Sequence, residues 1–292
     1  MNFQLGIGNR CANRLIALNS ALLLMLLIIS STVHAAVNSW ESHLTIAANS
    51  FIGIHPTFDQ SLGWLNTRLG DVVVCSLLVT IFIAHSFGAS TFNDLVERLS
   101  FWGWVGALCI STYLLTCATE HLYCHPIPVQ ALPQLHDVRS MYAIPVHASA
   151  FNSFPSGHGL AYIFFALMAW FKRYRRMSVF LILFGTVMLG TRVVLGMHWL
   201  SDIFLGALPL SVVLRFAAME TPLKRVYPRF YSLTYFLVAK LSGHAWIFER
   251  LATSHYKDTY RITAWTDAET ITLSNYRALE PLVVARRSRS SQ

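Results

Sequence analysis

Apolar residues are concentrated in six long runs along the first 220 residues of the chain. A hydrocarbon core about 30 Å thick is crossed by a helix of roughly 20 mainly apolar residues, and each run is close to that length. The runs cover residues 15–36, 72–89, 101–119, 156–171, 177–195 and 201–219. The pattern predicts an all-α polytopic membrane protein, in which residues 1–220 form a bundle of six transmembrane helices.

The composition agrees with this interpretation. Of the 292 residues, 54% are hydrophobic and only 12% are charged, which excludes an ordinary soluble domain. We attribute the formal net charge of +8 to basic loops that set the membrane topology and attract anionic membrane lipids. Nucleic acid is not an expected partner, because no basic stripe alternates with stacking aromatic residues.

Lysine and arginine are unevenly distributed between the loops, and basic loops stay in the cytoplasm. The loop 172–176 reads KRYRR and the tail 221–292 is basic, whereas segments 37–71 and 120–155 carry only Arg68 and Arg139. We therefore expect both ends of the chain, including a basic cytoplasmic tail at 221–292, on the inside. The other two segments are expected on the periplasmic or outer side of a cell membrane, the inner membrane in a Gram-negative bacterium.

The first apolar run has two interpretations. Arg10 and Arg14 precede it and the sequence VHA follows it, as in a signal peptide with a cleavage site. We expect a retained helix, because the run is longer than a typical signal core and an even number of spans puts both ends on one side.

Two groups of polar residues flank apolar runs on the predicted outer side, where ionisable residues are functional candidates. The sequence Pro-Ser-Gly-His at 155–158 opens the fourth run, and Arg192, His198 and Asp202 lie around the junction of the fifth and sixth runs. The fourth run goes inward and the fifth returns outward, so the two groups are expected at the same depth. Arg192 and His198 would lie on different faces of a straight helix, and Gly196 is expected to bend the chain between them.

These residue types suit phosphoryl transfer. An imidazole is a nucleophile for phosphorus, and a carboxylate one helical turn away holds its other nitrogen. His198 with Asp202 four residues later fits this pattern, and His158 is the candidate acid that protonates the departing oxygen.

The expected phosphate-binding residues are Arg192, Ser156 and Gly157, because a guanidinium and backbone amides at a helix start both bind phosphate oxygens. Each has a structural alternative. Ser156 is a good helix N-cap after a proline, Asp202 is a favourable acid in a first helical turn, and Arg192 could anchor the helix at the membrane interface.

Taken together, Pro155-Ser156-Gly157-His158, followed by Arg192, five residues, His198, three residues and Asp202, resembles two of the three signature motifs of the type-2 phosphatidic acid phosphatase superfamily. The motif region is 118–205, and the six-helix arrangement fits as well. The resemblance implies an integral membrane phosphatase or phosphotransferase that works through a phosphohistidine, independent of metals and without a cofactor.

The first signature motif of that family, a Lys followed by six residues and Arg-Pro, is degenerate in this chain. The matching spacing is occupied by Ala118, six residues and His125-Pro126, which lacks both permanent cations. Because Arg139 is the permanent cation of the same segment, His125 and Arg139 are the candidates to replace the lost phosphate-binding residues.

A zinc site is the alternative for the same segment. Glu120, His121 and His125 could present ligands on one helical face, but no fourth ligand has a fitting spacing. We therefore expect no metal.

The expected function is hydrolysis of a lipid phosphate or diphosphate, such as an isoprenoid diphosphate, a phosphatidate-like lipid or a phosphorylated glycolipid. A site at the membrane boundary favours such substrates because the tail can stay among the membrane lipids. One alternative is a phosphotransferase that passes the phosphoryl group to an acceptor hydroxyl. Another is a non-catalytic transporter or sensor on the same scaffold. Such a protein would be expected to lack one of the three catalytic residues, whereas His158, His198 and Asp202 are all present in this sequence.

Overall fold

The structure is a computed structural model that describes residues 12, 14–23, 31–119, 125–147 and 152–242. In these ranges the chain is helical apart from turns, loops and one isolated antiparallel bridge between Thr67 and Val146. The α-helices are α1 Arg14–Leu23, α2 Ser31–Asn49, α3 Pro56–Leu65, α4 Arg68–Phe87, α5 Phe92–Thr119, α6 Pro128–Ala131, α7 Val138–Tyr142, α8 Gly157–Phe171, α9 Arg175–Val194, α10 Leu208–Glu220 and α11 Tyr227–Ser242. A π-helical turn, Asp202–Ala207, precedes α10, and a 3₁₀ turn, Pro222–Val226, precedes α11. The prediction of an all-α membrane protein is confirmed.

Among the described residues, four helical segments are long and apolar enough to cross a membrane: α4, the part of α5 from Phe92 to Cys117, α9, and the continuous segment Asp202–Glu220. The fourth predicted run forms α8, which has 15 residues and at 1.5 Å per residue extends roughly 22 Å. The first run includes residues 24–30, which lie outside the described residues, and its described parts are the short helix α1 and the beginning of α2. The count of six spans therefore stays a prediction.

Helix α8 lies at the centre of the bundle. Its residues Leu160, Phe164 and Met168 are almost completely buried, and they belong to a core cluster that also includes Val105 of α5 and Leu214 of α10. The outer faces of α4 and α9 expose large apolar side chains, as helices in contact with lipid do. The centre of the bundle thus holds the helix that starts with the Ser-Gly-His sequence.

Helix α9 approaches α8 closely at a glycine. A Cβ atom added to Gly185 would lie 2.8 Å from Cβ of Tyr162, which is too close for two carbon atoms. Because Tyr162 Cβ is fixed to the backbone of α8, a side chain at position 185 would push the two helices apart.

The segments between the spanning helices form a cap over one end of the bundle. Ile52, Val138 and Ile144 pack with Leu195 and Met197 just after the end of α9. The expected bend is present at Gly196, whose φ of 66° lies in the left-handed region, and its carbonyl accepts a hydrogen bond from the backbone N–H of Val129 at 3.0 Å.

The described part of the predicted tail packs against the bundle. Phe230 of α11 contacts Trp104 of α5 with ring centroids 5.3 Å apart, and Val238 packs on Leu95 and Val96. Residues 243–292 lie outside the described residues. The division into a 1–220 membrane domain and a 221–292 tail stays a prediction. Helix α11, in the first part of this tail, packs against α5.

A pair of glycines on α9 tests the close packing of α8 and α9. We expect Gly185→Ala to destabilise the protein by about 1–3 kcal/mol, since its Cβ meets a backbone-linked atom of Tyr162. Gly190→Ala is the matched control, because a Cβ at Gly190 has nothing within 4 Å. Thermal unfolding in detergent should show a midpoint several degrees lower for Gly185→Ala and an unchanged or higher midpoint for Gly190→Ala. Equal midpoints would contradict the close helix packing.

Candidate active site

The residues of the two sequence motifs meet where helical segments begin or end. Helix α8 begins after Ser156, α9 ends two residues beyond Arg192, and the π-helical turn begins at Asp202. Helix α4, which begins at Arg68, contributes a fourth group that the sequence analysis did not select, Asp71. The predicted meeting of the two motif groups is therefore present.

Ser156 is the N-cap of α8. Its Oγ accepts a hydrogen bond from the Gly159 N–H at 3.1 Å, and its own N–H donates to the carbonyl of Asp202 at 3.1 Å. Gly159 lies so close to the π-helical turn that an added Cβ would be 2.9 Å from Cβ of Ala207. The capping role is thus present, and these contacts fix the start of α8 against Asp202.

Gly157 is the first residue of α8, where backbone N–H groups lack partners within the helix. A Cβ at Gly157 would lie 2.9 Å from the ring of Tyr113, so the glycine leaves room for this ring beside the helix start. Phosphate binding by Ser156 and Gly157 stays a prediction.

His198 and Asp202 form the pair that their spacing predicts. Nδ1 of His198 is 3.3 Å from Oδ2 of Asp202, and the backbone N–H of Trp199 donates to the same oxygen at 2.8 Å. The Asp202 side chain is fully buried, while 14% of the His198 side chain is exposed. When Nδ1 donates its proton to Asp202, the lone pair of His198 is on Nε2, the nitrogen that a nucleophile would use.

A second histidine binds the same carboxylate from the other side. Nδ1 of His125 is 3.1 Å from Oδ1 of Asp202 and 3.2 Å from Oγ of Ser153, and the His125 ring stacks on Trp199. His125 is only 1% exposed. The structure thus puts His125 behind Asp202, away from the exposed edge of His198. Phosphate binding by His125 stays a prediction.

Arg192, His158 and Asp71 form a close triangle. Nη2 of Arg192 is 2.6 Å from Oδ1 of Asp71 and 2.8 Å from Nε2 of His158, which is itself 3.0 Å from the same Asp71 oxygen. A single Nε2 can accept from the guanidinium or donate to the carboxylate, but not both at once. The protonation of His158 is therefore coupled to which of its two partners it binds.

Asp71 is held in this position by its helix and by the neighbouring loop. Thr67 caps α4 by accepting from the Gly70 N–H, and the His147 N–H donates to the carbonyl of Asn66 at 2.8 Å. Nδ1 of His147 also lies 3.0 Å from the second oxygen of Asp71. The sequence did contain a signal for Asp71, since it is an ionisable residue directly before the second apolar run, on the predicted outer side.

Glu41 of α2 supports the turn that carries Asp202. Its carboxylate accepts from the backbone N–H of Ser201 at 2.9 Å and from the Ser201 hydroxyl at 2.8 Å, and it is fully buried. Burial raises the pKa of the Glu41 carboxyl above its ordinary value, because lost hydration disfavours the charged form more than the Ser201 hydrogen bonds favour it. No motif or spacing relates residues 41 and 201 in the sequence.

Arg139 is not brought to this group of residues by the described contacts. Its Nε and Nη2 are each 2.9 Å from a carboxylate oxygen of Asp137, and both side chains are about one third exposed. A phosphate-binding role for Arg139 stays a prediction. Glu120 and His121, considered above as zinc ligands, lie outside the described residues.

Comparison with known proteins relates part of this chain to a family of membrane phosphatases. Residues 101–226 match the family model of the PAP2 superfamily, which confirms the resemblance to type-2 phosphatidic acid phosphatases. The matched range contains His158, Arg192, His198 and Asp202. The match supports a phosphatase, and the long apolar helices support a multi-pass membrane protein.

The chain also resembles a crystal structure of a transmembrane PAP2 type phosphatidylglycerolphosphate phosphatase from Bacillus subtilis. The two are 20% identical with a TM-score of 0.44, over 70% of this chain and 92% of the other. No curated protein matches the chain.

The two possible roles of His125 are separable by steady-state kinetics with a lipid phosphate. If His125 acts by positioning Asp202, His125→Ala should lower kcat about tenfold or more with little change in KM, because Asp202 loses a donor and His198 its alignment. His125→Asn should restore part of kcat, since the amide N–H can replace the Nδ1–H. A raised KM with unchanged kcat would indicate phosphate binding instead.

Proposed function

We propose that this protein is an integral membrane phosphatase that removes phosphate from a lipid phosphate or diphosphate through a phosphohistidine. The observation that carries the proposal is the His198–Asp202 pair, a partly exposed imidazole on a buried carboxylate beside Arg192 and His158. We infer that the site faces the outer or periplasmic side, which the lysine and arginine content of the loops supports. A lipid whose tail stays in the bilayer can present its head group at this depth.

In the first step, Nε2 of His198 attacks phosphorus and the bond from phosphorus to the ester or diphosphate oxygen breaks. His158 donates a proton to that departing oxygen, so that it leaves as a neutral hydroxyl or a protonated phosphate. Asp202 stabilises the positive charge that develops on the His198 ring. Arg192 binds the oxygens that do not leave, together with backbone N–H groups at Ser156 and Gly157.

In the second step, water attacks phosphorus and the phosphorus–nitrogen bond breaks. His158, now neutral, accepts a proton from the water, which restores its starting form. Inorganic phosphate leaves and His198 is regenerated. Release of inorganic phosphate without any added acceptor distinguishes this hydrolysis from transfer to an acceptor hydroxyl.

Substitution of His198 tests the nucleophile. We expect His198→Ala to abolish phosphate release from lipid phosphates, and Asp202→Asn to lower kcat by about a hundredfold or more, since the imidazole loses its orientation and charge partner. His55→Ala is a suitable control, because His55 is an exposed residue before α3. Parent-like activity of His198→Ala in well-folded protein would overturn the proposal.

Treatment with a chelator tests the independence from metals. Because the proposed nucleophile and proton donor are both histidines, we expect EDTA to leave the rate of phosphate release unchanged. The measurement is the initial rate with and without chelator, followed by addition of zinc or magnesium. Loss of activity with EDTA and its return with either metal would favour metal-assisted hydrolysis instead.

A further inference from the structure

A carboxylate already binds both Arg192, the proposed phosphate-binding side chain, and His158, the proposed proton donor. Oδ1 of Asp71 binds both Nη2 of Arg192 and Nε2 of His158, at 2.6 and 3.0 Å. Arg192 is 2% exposed and the Asp71 side chain is 19% exposed, so little water screens the pair from each other. Any phosphate that binds Arg192 therefore comes to lie beside Asp71.

Charge in the site is unfavourable for a simple phosphate. Among the side chains that meet there, Asp71 and Asp202 are acidic and Arg192 is the permanent cation, so the carboxylates outnumber the guanidinium two to one. The histidines on these carboxylates, His125, His147, His158 and His198, add positive charge only when they are protonated. The Lys and Arg of the first family motif are absent from the sequence. A phosphate monoester is close to a dianion at neutral pH, and a carboxylate a few ångströms away repels it.

Asp71 stays within reach of Arg192 because the backbone that carries it is anchored. Thr67 caps the helix start, and Asn66 and His147 join this start to the loop at 146–147. A rotation of the side chain can free the guanidinium for phosphate, yet the carboxylate remains close to the head group. A positive charge on the substrate would satisfy it, in the same way that Arg192 does before substrate binds.

We propose that Asp71 is a specificity-determining residue that selects lipid phosphates bearing an ammonium group near the phosphate. The phosphate binds Arg192, and the ammonium, three bonds from the ester oxygen, binds the Asp71 carboxylate. A substrate of this kind brings its own counter-charge and so compensates for the cations that the first motif lacks. The inference rests on the proposed phosphatase function and names the substrate class of that same site.

The test compares sphinganine 1-phosphate, which has a free amine, with N-acetylsphinganine 1-phosphate, in which an acetyl group on the same nitrogen removes the charge. The two lipids share the hydrocarbon chain and the phosphate. We expect the wild-type protein in detergent to have a kcat/KM about tenfold or more higher for the amine. In Asp71→Asn the ratio of the two kcat/KM values should fall towards one. The substitution also removes a partner of His158 and can change both rates, but such a change affects the two lipids alike and leaves their ratio unaffected. Asp94→Asn is the control, because Asp94 pairs with Arg98 on α5 at the opposite end of the bundle, and it should keep the wild-type ratio.

A second measurement uses the wild-type protein alone and so does not depend on a variant that folds. O-phosphoethanolamine and propyl phosphate are soluble esters of similar size, with and without an ammonium group. We expect O-phosphoethanolamine to inhibit lipid phosphate hydrolysis about tenfold more strongly.

The outcomes separate the inference from the proposed function. Equal kcat/KM values for the two lipids in the wild type, with equal inhibition by the two soluble esters, would overturn the role of Asp71 and leave the phosphatase intact. Phosphate release no faster than that of His198→Ala, from either lipid and from phosphatidate, would overturn the phosphatase function and this inference with it.

Discussion

The buried carboxylate of Asp202 is the interaction on which the site depends. A buried charge that water does not reach must be surrounded by hydrogen-bond donors. Here His125 binds one carboxylate oxygen of Asp202, while His198 and the Trp199 N–H bind the other. The carbonyl of the same residue accepts from Ser156, which fixes the start of α8. Asp202 thus connects the segment around residue 125, the loop before α8 and the turn after α9, and the proposed nucleophile His198 is held by the same hydrogen bonds.

Asp71 is a second acidic group in the same site, with the opposite relation to the proposed chemistry. In the proposed mechanism, Asp202 stabilises the positive charge that forms on His198 when phosphorus is attacked. Asp71 instead neutralises the guanidinium that would bind the phosphate. A site with two carboxylates and one permanent cation is poorly suited to dianions in general, and for this reason we propose the head group of the substrate, rather than its phosphate, as the source of specificity.

Close packing of the helices fixes the positions of these side chains relative to one another. Gly185 permits the approach of α9 to α8 at Tyr162, and Gly159 permits the approach of α8 to the π-helical turn at Ala207. Glu41 adds support from α2 by binding both hydrogen-bond donors of Ser201, directly before Asp202. The candidate catalytic side chains therefore lie at helix ends or, for His198, in the short segment between α9 and the π-helical turn, and the bend at Gly196 redirects the chain between Arg192 and His198.

The sequence by itself determined the features that depend on local spacing. Long apolar runs predict helices because the backbone must satisfy its own hydrogen bonds in lipid, and a residue four positions from a histidine lies one helical turn away. The pairing of His198 with Asp202, the cap at Ser156 and the bend at Gly196 could be predicted for this reason. Only the tertiary structure decided that Asp71 meets His158 and Arg192, which are 87 and 121 positions away, and that His125 lies behind Asp202 rather than beside Arg192. Such contacts depend on the rotation and depth at which separate helices pack, and hydropathy fixes neither quantity, since an apolar run has the same mean hydropathy whichever face it turns to its neighbours.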